Sequence, residues 1–313
     1  MMKLLKQAAL PDALTAELSN TYDLIEFADL TAQQVEDIAE SVTIILTNGE
    51  AVVSRDFMTQ FPSLQLIAVF GVGHDGVDTI AAQQLGIAVT NTPEVLTDDV
   101  ADLAIGLMIA TRRQLVAAHK FIERGGWQES PFPWTQKVSG AKLGIVGMGR
   151  IGQAIAQRAT GFAMQISYYS RRKREDSSWN FQPDLFELAK NSDILIICVP
   201  GGEATRALID QRVLEALGPE GILINVGRGS VVDETSLIDA LQHKKIAGAG
   251  LDVFESEPIV PSELQQLNNV IITPHMASAT WQTRAEMSRL VKENIDAWVN
   301  GEPLITPVIE VRK

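Results

Sequence analysis

The stretch that most constrains this chain is Gly147-Met148-Gly149-Arg150-Ile151-Gly152, set between a short apolar run (143–146) and a segment rich in small residues (151–159). Strand, Gly-x-Gly-x-x-Gly, helix is the context that gives a dinucleotide fingerprint its meaning. Gly147 permits the tight turn, and Gly149 lets the backbone approach a pyrophosphate. Gly152, followed by Ala154 and Ala156, lets the helix lie close to the sheet. Together with Arg150 and Ile151 they are expected to hold the diphosphate at the helix N-terminus. There, unpaired N–H groups and the positive end of the helix dipole face the ligand.

A second copy, Gly71-Val72-Gly73-His74-Asp75-Gly76, also follows an apolar run and precedes a helical pattern. The next strand discriminates between them, because its tip reaches the adenosine ribose. After the first copy that strand ends in Asn91-Thr92-Pro93; after the second it ends in Ser170-Arg171-Arg172-Lys173-Arg174. Only the second tip suits a nucleotide, and the first is expected to be an anion nest for something smaller, such as a carboxylate. An NAD site usually carries Asp or Glu at this tip to bond the ribose 2′-OH. Here the first acid, Glu175, lies beyond Ser170, Arg171, Arg172 and Lys173. A hydroxyl and guanidinium groups suit a 2′-phosphate, which arginine can grip in a bidentate fork. NADP is therefore expected over NAD. A run of cations is otherwise usually a solvated loop, but this one stands in a chain of net charge −13 and where the 2′ substituent belongs.

That net charge argues against nucleic acid or an anionic membrane as a general partner. At 313 residues the chain exceeds one comfortable core, so two domains are expected. The single cysteine, Cys198, excludes an internal disulfide and suits a reducing compartment. Lys6, Gln7 and Pro11 interrupt any apolar leader, and no run approaches the roughly 20 residues that cross a bilayer. The cytoplasm is the expected location.

Along the chain, β-rich runs (3–5, 22–27, 43–47, 66–69, 88–89) alternate with helical patterns (11–19, 31–39, 55–60, 77–85), implying a parallel sheet flanked by helices. Thr97 resembles an N-cap, with Asp98 and Asp99 in the first turn. Its helix is expected to run to about Arg124, with an apolar middle (103–110) buried between domains or subunits. Gly125-Gly126 ends it, and residues 127–139 are the linker candidate. A second alternating series (143–146, 165–169, 194–199, 222–225, 248–251, 270–272) supplies the six strands of a Rossmann domain, and a last helix spans about 279–299.

Three polar clusters close the late strands: 225–230, 252–258 and 273–275. In an open α/β sheet such ends face the ligand crevice. Arg228, a Glu and His275 would make a workable set there. Arginine grips a carboxylate or ketone oxygen, histidine moves protons near neutral pH, and a neighbouring Glu favours the imidazolium. Spacing leaves Glu255 and Glu257 as alternatives. His119 and His243 read as solvated, and His74 as part of the nest's backbone. Cys198, inside an apolar run, reads as core rather than as a nucleophile. No metal site is expected.

The ordered matches Gly147–Gly152, NVGRGSVVD (225–233), LDVFESEP (251–258) and PHMASAT (274–280) resemble the D-isomer-specific 2-hydroxyacid dehydrogenase family over essentially the whole chain. NTPEVLTDDVADLAIGL (91–107) is most similar to its glyoxylate and hydroxypyruvate reductase branch. The resemblance implies an α/β fold of two doubly wound domains. A Rossmann cofactor domain (98–280) is inserted in a flavodoxin-like substrate domain (1–97 with 281–313). It places the Arg–Glu–His set on Arg228, Glu257 and His275, and the substrate carboxylate on the N–H groups of Val72 and Gly73. Thr97, Cys198, Pro200, Thr205, Val226 and Asp252 would line the cofactor, with Asp252 near the nicotinamide amide. It also implies a homodimer through the cofactor domain, no regulatory domain after residue 299, and reduction of small 2-oxo acids. Trp134 is read either as a wall of the substrate entrance, with help from a partner subunit, or as a residue packed in the linker. A non-enzymatic dinucleotide-binding corepressor and a reductase of larger oxo acids are the alternatives.

Overall fold

The computed structural model describes residues 1–309. The chain divides into two compact units, Met1–Leu96 with Ala279–Lys313, and Thr97–Ser278. The first opens with β1 (Lys3–Lys6), α1 (Asp12–Ser19), β2 (Asp23–Glu26), α2 (Ala32–Ile38), β3 (Val42–Asn48), α3 (Arg55–Thr59), β4 (Leu66–Phe70), α4 (Thr79–Leu85) and β5 (Ala88–Thr90). The second contains α5 (Thr97–Arg112), α6 (Leu115–Glu123), α7 (Gly126–Glu129), β6 (Lys142–Val146), α8 (Arg150–Thr160), β7 (Gln165–Tyr169), β8 (Asn180–Phe181) and α9 (Leu185–Lys190). It continues through β9 (Ile194–Ile197), α10 (Gln211–Leu217), β10 (Ile222–Asn225), α11 (Glu234–Gln242), β11 (Gly248–Leu251), α12 (Ser262–Gln266) and β12 (Val270–Ile272). The tail, α13 (Trp281–Asn300) and β13 (Pro307–Ile309), returns to the first unit.

Both units are doubly wound, as the sequence leads one to expect. In the first, the strand order is β13-β5-β4-β3-β1-β2, parallel except for β13 against β5. Leaving β13 aside, this is the flavodoxin-like order 2-1-3-4-5. β4 is buried along its whole length, as a strand covered on both faces must be. α13 packs on β4 and α1, and Tyr22 on this unit's other segment donates to Asp296 at 2.6 Å. β13, which carries no clear alternation, was not anticipated from the sequence.

The second unit has a seven-stranded parallel sheet, β12-β11-β10-β9-β6-β7-β8. Counted from β6 this is the Rossmann order 3-2-1-4-5-6, with β8 as strand 3 and β12 as a seventh strand at the other edge. Six strands were expected; the one not anticipated is β8, two residues paired to β7, too short to produce a readable alternation. The interior is aliphatic: all four residues of β9 have no exposed surface, and burying each such side chain contributes roughly 1.5–3 kcal/mol.

Two local expectations are corrected. The long helix does not run to Arg124: it breaks after Arg112 because Gln114 takes a left-handed conformation (φ 50°) and restarts the chain as α6. Residues 127–139 are not a linker between units. They lie inside the second one, tied down by Phe132 edge-to-face with Phe121 (centroids 5.4 Å apart) and by Arg112 Nε donating to the Lys137 carbonyl at 3.3 Å.

Candidate functional site

The fingerprint does in three dimensions what its spacing implies. α8 begins inside it, with Gly149 as N-cap and Arg150 as the first helical residue, so Arg150 and Ile151 present the first-turn N–H groups. Gly147 turns at φ 103°, and a Cβ on Gly152 would lie 2.0 Å from the Gly147 carbonyl oxygen. No other residue lets α8 sit so close to its strand. A Cβ on Gly149 would meet nothing within 4 Å, leaving that face of the loop open for a diphosphate. The cradle thus fits the group expected there. In the other copy, by contrast, α4 starts only at Thr79, three residues after Gly76.

Around the cradle, β7 ends at Tyr169, whose carbonyl accepts from Gly147 N at 2.9 Å. Ser170, Arg171, Arg172 and Lys173 follow; the three cations are exposed, and Ser170 Oγ donates to the Arg172 carbonyl at 2.5 Å. Cys198 sits just past β9, not within it, and its Sγ lies 3.1 Å from the Gly147 carbonyl oxygen. Burial pushes its thiol up to about 12, so it stays protonated at neutral pH and is a poor nucleophile. Pro200 is exposed, and its carbonyl accepts from Thr205 Oγ1 at 2.7 Å. Thr97 is the first residue of α5, one position inside the helix it was expected to cap. Val226 is buried beyond β10.

The chemistry-bearing side chains of this unit converge through backbone contacts. A Cβ on Gly229 would lie 1.9 Å from the carbonyl carbon of Phe254, so only glycine lets the Arg228 loop press against the segment carrying Glu257. Asn225 braces the loop, accepting from Gly227 N at 3.0 Å and donating to the Arg228 carbonyl at 2.9 Å. Arg228 Nη1 donates to the Gly227 carbonyl at 2.9 Å. Glu257 is held by Phe254 N, which donates to Oε1 at 2.8 Å, while its Oε2 lies 2.7 Å from His275 Nδ1. Glu255 turns elsewhere, to Arg206 at 3.3 Å. The carboxylate acceptor makes Nδ1 the donor. Both side chains are about a quarter to a third exposed (23% and 33%), accessible yet partly desolvated.

Asp252 has a part that sequence reasoning did not assign. Its fully buried carboxylate accepts from Thr273 Oγ1 (2.6 Å), Met276 N (2.9 Å) and Ala277 N (2.9 Å), and its carbonyl accepts from His275 N at 2.9 Å. It thereby holds His275 at its positive φ of 47°. Burial nonetheless raises its carboxyl above the ordinary aspartate range. The resemblance placed Asp252 near the nicotinamide amide, and nothing in the sequence announced these partners. The other histidines of this unit are solvated, as read: His119 pairs with Glu123 at 3.3 Å and His243 with Asp239 at 2.9 Å, both well exposed. Trp134 is fully exposed, so it is not packed in a linker.

In the first unit, Val72 and Gly73 lie at the carboxyl end of β4. Asn91 Nδ2 donates to the Val72 carbonyl at 2.8 Å and Thr92 N to the Gly71 carbonyl at 2.8 Å, which shapes the nest. The guanidinium of Arg284, on α13, lies over the Phe70 ring at 5.4 Å, a cation at this strand end that no motif flagged. Among the described residues, no helix is long and apolar enough to cross a membrane.

Residues 105–277 match the model for the NAD binding domain of D-isomer specific 2-hydroxyacid dehydrogenases. A hydroxyphenylpyruvate reductase of Plectranthus scutellarioides is 44% identical over 298 residues, 95% of each chain. A glyoxylate/hydroxypyruvate reductase of Arabidopsis thaliana is 43% identical over 298 residues, again 95% of each. Among solved structures, an NADPH-dependent glyoxylate/hydroxypyruvate reductase of Sinorhizobium meliloti, in complex with NADP and malonate, superposes with a TM-score of 0.91 at 42% identity, covering 99% of this chain and 98% of that one.

Proposed function

Because the chain belongs to the D-isomer specific 2-hydroxyacid dehydrogenase family, we propose that it reduces small 2-oxo acids such as glyoxylate or hydroxypyruvate to D-2-hydroxy acids, with NADPH as reductant. The observation that carries this reading is the 2.7 Å pair of His275 and Glu257, set beside the Arg228 loop by the close packing at Gly229. When bound, the dinucleotide supplies a hydride from C4 of its nicotinamide to the carbonyl carbon. Arg228 orients the oxo acid and polarises its carbonyl. His275 donates a proton from Nε2 to the carbonyl oxygen, and Glu257 keeps the imidazole oriented and charged until it does. The backbone of Val72 and Gly73 takes the carboxylate, in the substrate domain formed by the first unit. The fingerprint, Thr97, Ser170–Lys173, Cys198, Pro200, Thr205, Val226 and Asp252 belong to the cofactor side. Turnover of an oxo-acid panel with NADPH and NADH tests the whole reading. Binding of dinucleotide without turnover of any oxo acid would favour a corepressor-like module, and a preference for bulky substrates would favour the larger-oxo-acid alternative.

Glu257→Gln gives the pH test. The general acid must be protonated, so reduction falls off as pH rises through its pKa. Removing the carboxylate removes the charge that favours the imidazolium. The alkaline limit of kcat should therefore move to lower pH, and an unchanged profile would take Glu257 out of this role.

The cofactor unit also suits a homodimer. Leu115, Val116, Ile122 and Trp127 expose apolar surface on and just after α6, and exposed patches of this kind mark association surfaces. Trp134, fully exposed and two residues after the edge-to-face Phe132–Phe121 pair, would reach a partner's substrate entrance. Trp134→Ala is expected to reorder the panel by side-chain size. A uniform loss for every substrate, with a lower Tm, would mean a structural residue instead.

A further inference from the structure

Of the four consecutive cations after β7, the last behaves unlike the others. Arg174 donates from Nε and Nη2 to both oxygens of Asp176, at 2.9 and 2.6 Å, and from Nη1 to the Met148 carbonyl in the fingerprint at 3.2 Å. Its backbone N–H donates to the Tyr168 hydroxyl at 2.9 Å. Tyr168 is wholly buried in β7, its ring against Phe181 of β8 (centroids 5.4 Å apart). A simple surface ion pair contributes little, but this one closes a ring. β6 leads to Met148, Met148 is tied to Arg174, Arg174 to Tyr168, and β7 pairs back to β6. The 170–173 segment hangs between two fixed points, the Gly147–Tyr169 backbone bond at its start and Arg174 at its end.

Resting on the NADP reading above, we propose that Arg174 is a positioning residue for 2′-phosphate recognition. Its fork is committed to Asp176 and Met148, so it does not grip the phosphate. It holds Ser170, Arg171 and Arg172 in a preorganised loop, at the register of the fingerprint, so that less ordering remains to be done when the ligand arrives. The selectivity of the site then depends on a side chain that never touches the group being selected.

Binding to the cofactor-free protein tests this, with NADPH, NADH and adenosine 2′,5′-bisphosphate as probes. Arg174→Ala should weaken NADPH and the bisphosphate by about tenfold and NADH by much less. Arg174→Lys, which keeps the charge but lacks the fork, should behave like the alanine variant. Asp176→Ala is the decisive variant: it removes a negative charge near the phosphate, yet should weaken NADPH because the strut loses its anchor. Tighter NADPH binding by Asp176→Ala, full rescue by Arg174→Lys, or no effect of Arg174→Ala would each overturn the proposal. Amide hydrogen exchange in the free protein supplies a readout independent of cofactor choice. Exchange across residues 170–174 should quicken in Arg174→Ala, and unchanged exchange would also overturn it. Wild-type protein that prefers NADH would refute the NADP reading, while the exchange result would still decide whether the strut exists.

Discussion

His275→Ala is expected to lower kcat for oxo-acid reduction by about 10²–10⁴-fold, the usual contribution of a positioned general acid, while NADPH affinity stays close to that of the wild type. The imidazole is fixed at Nδ1 by Glu257 at 2.7 Å and in its backbone by the Asp252 carbonyl at 2.9 Å, and Nε2 is the nitrogen proposed to serve the substrate. Alanine can adopt the same backbone, though its positive φ at this position is mildly strained; a thermal scan alongside the kinetics separates lost chemistry from lost stability. His119→Ala and His74→Ala are the controls. A larger loss of kcat in either than in His275→Ala would move the proton donor elsewhere.

Arg171→Ala is expected to weaken NADPH by about one to two orders of magnitude. A hydrogen bond to a charged group contributes roughly 1.5–3 kcal/mol, and about 1.4 kcal/mol is tenfold in affinity. NADH, which lacks the 2′-phosphate, should be nearly unaffected. Titration of the purified protein with each dinucleotide reads both numbers. Equal losses for the two cofactors, or a wild type that binds NADH more tightly, would sink the NADP reading.

Much of this was legible in the sequence because the signals were local or repeated. The alternation of apolar runs and helical patterns specifies two doubly wound units, and the fingerprint locates the cradle because glycine is demanded there by contact distances of 2 Å. What was not legible depended on partners distant in sequence. β8 is two residues long and exists because β7 offers it an edge. Gln114 breaks the long helix without any Gly or Pro to announce it. Spacing alone leaves Glu255 and Glu257 equivalent, and only the resemblance chose Glu257; the fold sends one to Arg206 and the other to His275. The same holds for four neighbouring cations, of which one is bonded to the fingerprint and three are exposed.

The return of α13 and β13 to the first unit has a consequence for biosynthesis. A ribosome delivers β1 to β5 first, then the whole of the second unit, residues 97–278, before the pieces that complete the first sheet. At roughly 5–20 residues per second, the nascent β5 waits on the order of ten to forty seconds for its antiparallel neighbour, and β4 waits as long for the helix that covers it. During that interval the chain displays an unpaired strand edge, the kind of template that pairs with other chains. The contiguous unit, needing nothing from later residues, is free to fold meanwhile. The vulnerable nascent species is therefore the half made before the second unit, and its rescue depends on the segment made after that unit.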